Sequence, residues 1–125
     1  MYTQQKTDNK KLKIDTAPLL ERRPTYAEVN FAALAHNFRL IRNLAGGRGI
    51  IAIVKADAYG HGLIPISRKL EELGVEYLGV GFLEEGAALR EAGIKSRIMV
   101  MGGVAGYQIN HFLDYNLELT ASSRF

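Results

Sequence analysis

The chain has 125 residues, 47% hydrophobic and 23% charged, the balance of an ordinary globular domain or of part of a larger one. It has no cysteine, which excludes disulfides and thiolate metal sites, and no apolar run approaches the roughly eighteen residues a membrane span needs. The formal net charge of +3 resides in residues 1–23, where Lys6, Lys10, Lys11, Lys13, Arg22 and Arg23 face only Asp8, Asp15 and Glu21; the rest of the chain is neutral, which argues against a nucleic-acid surface.

Residues 1–23 read as a flexible polar tail. Lys10, Lys11 and Lys13 interrupt every apolar run that a secretory signal would require, so a cytoplasmic protein is expected. Beyond the tail, Thr25-Tyr26-Ala27-Glu28-Val29 alternates enough for a short strand. Asn30 then caps a helix whose apolar stripe is Leu34, Phe38, Ile41 and Leu44, and Gly46-Gly47 closes it.

Ile50-Ile51-Ala52-Ile53-Val54 is apolar at every position, the pattern of a strand buried on both faces in a parallel sheet. A helix is expected from about Pro65, through Ile66 and Leu70, to Leu73, with Gly74 as its stop. The cycle repeats with a strand over 77–82, a helix over 84–92 stopped by Gly93, a strand over 97–101, a helix over 107–115 and a last strand over 117–121. Strands alternating with helices at this spacing indicate βαβ crossovers and an α/β architecture. Two forms fit: a small doubly wound domain, or the first half of a (β/α)8 barrel, a fold that typically needs about 250 residues.

The chemistry is concentrated in Val54-Lys55-Ala56-Asp57-Ala58-Tyr59-Gly60-His61-Gly62. Ligands of parallel α/β sheets sit at the carboxyl ends of the strands, and Lys55 follows the 50–54 strand directly. Partial removal from water favours the neutral amine that condenses with an aldehyde. Gly60 and Gly62 permit close backbone approach, and the amides of the next helix start are expected to receive an anion. An aldehyde-binding amine beside an anion site suits pyridoxal phosphate. The same residues also read as a lysine snorkelling to water, a tyrosine packed on the rim and two ordinary loop glycines.

The eleven residues from Ala52 to Gly62 resemble the signature of alanine racemases, in which the lysine carries pyridoxal 5'-phosphate as an internal aldimine. The resemblance extends to Arg23-Pro24-Thr25-Tyr26-Ala27-Glu28-Val29-Asn30, to Ala35-His36-Asn37, to Phe82-Leu83-Glu84-Glu85-Gly86 and to Ala88-Leu89-Arg90-Glu91-Ala92-Gly93-Ile94. Ile53 stands where valine is usual, and Asn30 where aspartate is common.

This resemblance implies an α/β fold, residues 24–125 forming the N-terminal portion of a TIM-type (β/α)8 barrel truncated after about four strands. The 50–54 strand would be the first of the barrel, and the 25–29 strand would join a β-rich domain. It implies interconversion of L- and D-alanine, supplying D-alanine for cell-wall synthesis, in a head-to-tail homodimer without nucleic-acid or membrane partners. Lys55 would be both the cofactor lysine and the catalytic base on the D face, and Tyr59 would bond the cofactor phosphate. Met101 is a candidate lining residue of the cofactor pocket. His61 is expected to fix the turn, with His36 and His111 in helix-surface or packing roles. The opposite-face base would be a tyrosine of the partner subunit. These 125 residues are therefore expected to be a fragment inactive alone. The alternatives are a non-catalytic pyridoxal-phosphate homeostasis protein on a similar barrel, and a racemase of another amino acid.

Overall fold

The computed structural model describes residues 27–121. The polar tail and the first two residues of the expected 25–29 strand, Thr25 and Tyr26, lie outside the described residues. Residues 27–29 have no regular structure, because no described strand pairs with them. Asn30 caps α1 (Phe31–Leu44), its side chain accepting the Ala33 amide at 3.0 Å. Strand β1 (Ile51–Ile53) runs into a short helical segment, α2 (Lys55–Gly60), and then into α3 (Leu63–Glu72). There follow β2 (Tyr77–Val80), α4 (Leu83–Glu91), β3 (Arg97–Val100), a 3-10 turn (Gly106–Gln108), α5 (Ile109–Asp114) and β4 (Glu118–Leu119).

The four strands form one parallel sheet in the order β1-β2-β3-β4, each pair joined by a helical crossover. In register, Ala52 faces Leu78 and Leu78 faces Ile98, while Val80 faces Val100. Since side chains alternate across a strand, these residues and Val54 point to one side, where α1, α3 and α4 cover them. Leu78, Val80, Ile98, Val100 and Leu89 of α4 are fully buried, each side chain contributing roughly 1.5–3 kcal/mol.

The other side carries Ile51, Ile53, Gly79, Met99 and the trio Tyr77, Arg97 and Glu118, and none of the described helices covers it. The expectation that strand 50–54 is buried on both faces is therefore corrected: Ile51 and Ile53 are 45% and 39% exposed, whereas Val54 is 1% exposed. An all-apolar run measures how much burial a strand can accept, and here half of that surface has no cover among the described residues.

Two further expectations shift. The stripe on α1 narrows, because Ala35 and Phe38 are buried while Ile41 and Leu44 lie exposed. Helix α3 starts at Leu63 instead of near Pro65, with Pro65 still inside the first turn, where its missing N–H has no intrahelical partner to lose.

Side-chain clasps pin the loops at the amino ends of the strands, one for each gap in the sheet. Glu76 accepts the Ile50 amide at 3.0 Å and pairs with Arg42, joining the approaches to β1 and β2. Glu71 accepts the Lys95 and Ser96 amides at 2.6 and 2.7 Å, fixing the approach to β3. Arg90 donates to the carbonyls of Ile94, Ser96, Tyr115 and Asn116 at 2.8–3.0 Å, tying the approach to β3 to that of β4.

Candidate active site

Val54 follows β1 directly, with its amide donating to the Gly79 carbonyl at 2.8 Å and its side chain in the core. Lys55 comes next, so its side chain leaves on the opposite side of the sheet, at the carboxyl end and on the uncovered face. Its stem lies over Gly81: a Cβ built there would stand 3.7 Å from Lys55 Cβ and 3.9 Å from Lys55 Cδ. The half-buried lysine thus rests on a strip of bare backbone at the end of β2.

The chain then does something the sequence does not announce. Ala56, Asp57, Ala58 and Tyr59 all adopt left-handed helical dihedrals, with φ of 51–56° and ψ of 38–53°. None of them is glycine, and each such residue costs roughly 1–2 kcal/mol, so the surroundings must over-determine the turn. Five hydrogen bonds do so. The Ala58 amide donates to Val54 O at 2.8 Å, and the Gly62 amide to Asp57 O at 2.9 Å. The Asp57 carboxylate accepts the Leu63 amide at 2.6 Å, and the His61 ring nitrogen Nδ1 donates to Ala58 O at 2.9 Å. Glu85 accepts the Ala56 amide at 2.6 Å from across the sheet. Gly60 and Gly62, at φ of 85° and 95°, carry the chain out into α3.

At the start of α3, where amides were expected to receive an anion, fewer are free than the sequence suggests. Leu63 has given its amide to Asp57, and Pro65 has none to give. Tyr59, one helical turn beyond Lys55, stands 62% exposed at the rim. Met101 follows β3 at its carboxyl end, its amide donating to Val80 O at 2.9 Å. Its Sδ lies 3.6 Å from the position a Gly79 side chain would occupy, which puts it on the same face as Lys55. All three candidates, Lys55, Tyr59 and Met101, thus lie at the carboxyl end of the sheet. His36 and His111 are exposed on α1 and α5.

The sequence reading passed over Glu85 and the glycines beneath the lysine. Glu85 was legible as the third residue of a helix following a strand, the usual place for a carboxylate that reaches back to a helix start. Nothing in the sequence marked its bond to Ala56. Among the described residues there is no cluster of metal-ligating side chains, and no helix is long and apolar enough to cross a membrane.

The chain resembles known proteins in sequence and in fold. A family model described as alanine racemase, N-terminal domain, matches residues 29–124. The chain is 50% identical over 100 residues to an alanine racemase of Geobacter sulfurreducens, covering 79% of this chain and 26% of that protein. It is 45% identical over 101 residues to an alanine racemase of Clostridium tetani, covering 81% of this chain and 26% of that one. Among solved structures, an alanine racemase from Clostridium difficile in complex with cycloserine superposes with a TM-score of 0.77 at 34% identity, over 82% of this chain and 28% of the other. One from Bacillus anthracis with bound L-Ala-P gives 0.72 at 34% identity, over 79% and 27%. The chain spans about a quarter of the length of the curated relatives it matches.

Proposed function

The chain belongs to the alanine racemase family, and from that premise we propose that residues 24–125 are the N-terminal part of the barrel of a pyridoxal-phosphate-dependent racemase acting on alanine, with residues 1–23 outside that domain. One observation carries the reading: the only lysine at a strand's carboxyl end among the described residues, Lys55, lies over a glycine on the face of the sheet that no described helix covers.

The side chains at this end suit pyridoxal phosphate, which presents an aldehyde, a flat ring and a phosphate. Lys55 supplies the amine for the aldehyde. Gly79 carries no side chain where Ile53 packs, and Gly81 none where the Lys55 stem lies: a Cβ would stand 2.7 Å from Ile53 Cδ1 at the first and 3.7 Å from Lys55 Cβ at the second. Met101 gives a polarizable wall beside Gly79, and the exposed Tyr59 hydroxyl is the donor assigned to the phosphate. When bound, the cofactor supplies an electron sink for the charge left on the amino acid's α-carbon.

In this reading Lys55 Nζ has two duties. It anchors the cofactor at rest, and as a free amine it takes up or returns the α-proton on the D face of the substrate. The rigid left-handed turn holds Lys55 and Tyr59 in one frame, so the anchoring amine and the phosphate donor keep a fixed separation. The opposite-face base, a tyrosine by family resemblance, is assigned to the β-rich domain of a second subunit in a homodimer.

The test uses the purified chain with pyridoxal phosphate. An absorbance band near about 420 nm is expected in the wild type and is lost in Lys55→Ala. Equal bands in both proteins would mean that surface lysines react instead, and the assignment fails. Full-length protein should form D-alanine from L-alanine, and Lys55→Ala should abolish it.

A further inference from the structure

We propose that Glu85 is a positioning residue for Lys55: its carboxylate fastens the first amide of the left-handed turn to the end of β2 and so sets where the lysine's amine stands. The inference deepens the reading of Lys55 given above and rests on it.

Glu85 is the third residue of α4, and a glutamate there ordinarily reaches back to the start of its own helix. Its Oε2 does that, accepting the Phe82 amide at 3.2 Å and the Gly81 amide at 2.7 Å. Capping needs nothing more. Yet Oε1 crosses to the neighbouring strand and accepts the Ala56 amide at 2.6 Å, 29 residues away in the chain. Ala56 N belongs to the peptide whose carbonyl is that of Lys55, so the bond acts one atom pair from the lysine's own backbone. The other end of the carboxylate holds Gly81, over which the lysine stem lies, and its Oε2 is 3.4 Å from where a Gly81 Cβ would stand. One side chain therefore fixes both the backbone that launches Lys55 and the surface on which it rests. No lysine or arginine pairs with Glu85 among the described residues; three amides hold it.

The geometry demands two acceptors, which makes glutamine a discriminating substitution. Glu85→Gln keeps the shape but turns one oxygen into an amino group, which cannot accept a bond from an N–H. It can serve Gly81 and Phe82 or Ala56, not both sets.

Two measurements on the same proteins test this. In the absence of cofactor, amide exchange at Ala56 is followed by NMR in wild type and Glu85→Gln. With pyridoxal phosphate, the amine and aldehyde condense with loss of water. Borohydride then delivers hydride to the carbon of the C=N bond, leaving a stable secondary amine, and peptide mass spectrometry gives the ratio of label at Lys55 to label at the exposed Lys95. Glu85→Gln is expected to speed Ala56 exchange and to lower the Lys55:Lys95 ratio by about tenfold each. Arg90→Lys, which loosens the amino-end loops without touching the turn, is the matched control and should leave the ratio within about twofold of wild type. Unchanged Ala56 exchange in Glu85→Gln overturns the proposal, and so does an unchanged ratio. A ratio falling equally in Arg90→Lys also overturns it, since general destabilisation then accounts for the loss. Should Glu85→Gln fail to fold, Glu85→Asp replaces it, because a side chain one methylene shorter cannot reach Gly81 and Ala56 together; a wild-type ratio in that variant overturns the proposal as well. A wild type that labels Lys55 no faster than Lys95 is a different failure. It sinks the cofactor reading, while the exchange measurement still decides whether Glu85 holds the turn.

Discussion

Replacing Ala56 by glycine should stabilise this protein, although the same change in an ordinary helix destabilises. Ala56 is exposed, so the substitution removes no buried surface, and its φ of 52° and ψ of 53° put its Cβ against the following carbonyl. Relief of that clash is worth roughly 1–2 kcal/mol. Glycine gives back roughly 0.5–1 kcal/mol through the greater freedom of the unfolded chain. The difference favours Ala56→Gly by about 0.5 kcal/mol or somewhat more. In a right-handed helix of the same length the change would cost about 1 kcal/mol, so the two geometries differ in sign. Urea unfolding followed by far-UV circular dichroism resolves this: with a slope of about 1–3 kcal/mol per molar, the midpoint should rise by roughly 0.2–0.5 M at unchanged slope. A midpoint that falls by a similar amount would refute the left-handed turn, and the over-determined frame around Lys55 with it.

Other parts of the molecule make independent commitments. Ser67 is fully buried on α3 with no partner for its hydroxyl among the described residues, so Ser67→Ala should be neutral or stabilising by up to about 1 kcal/mol in the same titration; a net loss of stability would show a further partner. Gly102 packs so close to β2 that a Cβ would stand 2.4 Å from Gly81 O, and backbone cannot swing away, so Gly102→Ala should cost about 2 kcal/mol or more and weaken labelling of Lys55; a neutral result would mean the carboxyl ends of β2 and β3 are further apart. Acid should weaken the fold partly through Glu71. Burial works against its charge, but the Ser96 and Lys95 amides and the Ser96 hydroxyl outweigh burial and hold the carboxyl below its ordinary value. A depressed carboxyl lends stability that is complete above the unfolded value, near about 4.3, and disappears as pH falls through the lower folded one. Glu71→Gln should therefore be less stable at neutral pH and lose less on acidification; parallel pH profiles for the two proteins would contradict this.

Much of the architecture was legible because apolar periodicity and glycine stops are local signals. Asn30, Gly74 and Gly93 bound their helices where expected, and the strands at 77, 97 and 117 are real, if one or more residues shorter than their apolar runs. The burial of β1 was misjudged because Ile51 and Ile53 declare an affinity for cover, while the cover itself depends on what else is present. The placement of Lys55 at a strand's carboxyl end followed from chain order alone. The conformation of the next four residues did not, since left-handed turns are normally flagged by glycine or asparagine, and Ala-Asp-Ala-Tyr contains neither. The forces that impose it come from Glu85, 29 residues on, and from the Asp57 and His61 side chains, whose partners become visible only once the chain has folded back.

The clasps made by Arg42, Glu71, Glu76 and Arg90 all lie at one end of the sheet, and Lys55 lies at the other. A scaffold divided in this way can evolve one rim without loosening the opposite one. Diversity introduced at residues 103–105, past the carboxyl end of β3, would alter which molecules are accepted while the fastened end preserves the scaffold's shape. The same effort spent at residues 94–96 or 115–116 would collapse the foundation before any new selectivity emerged.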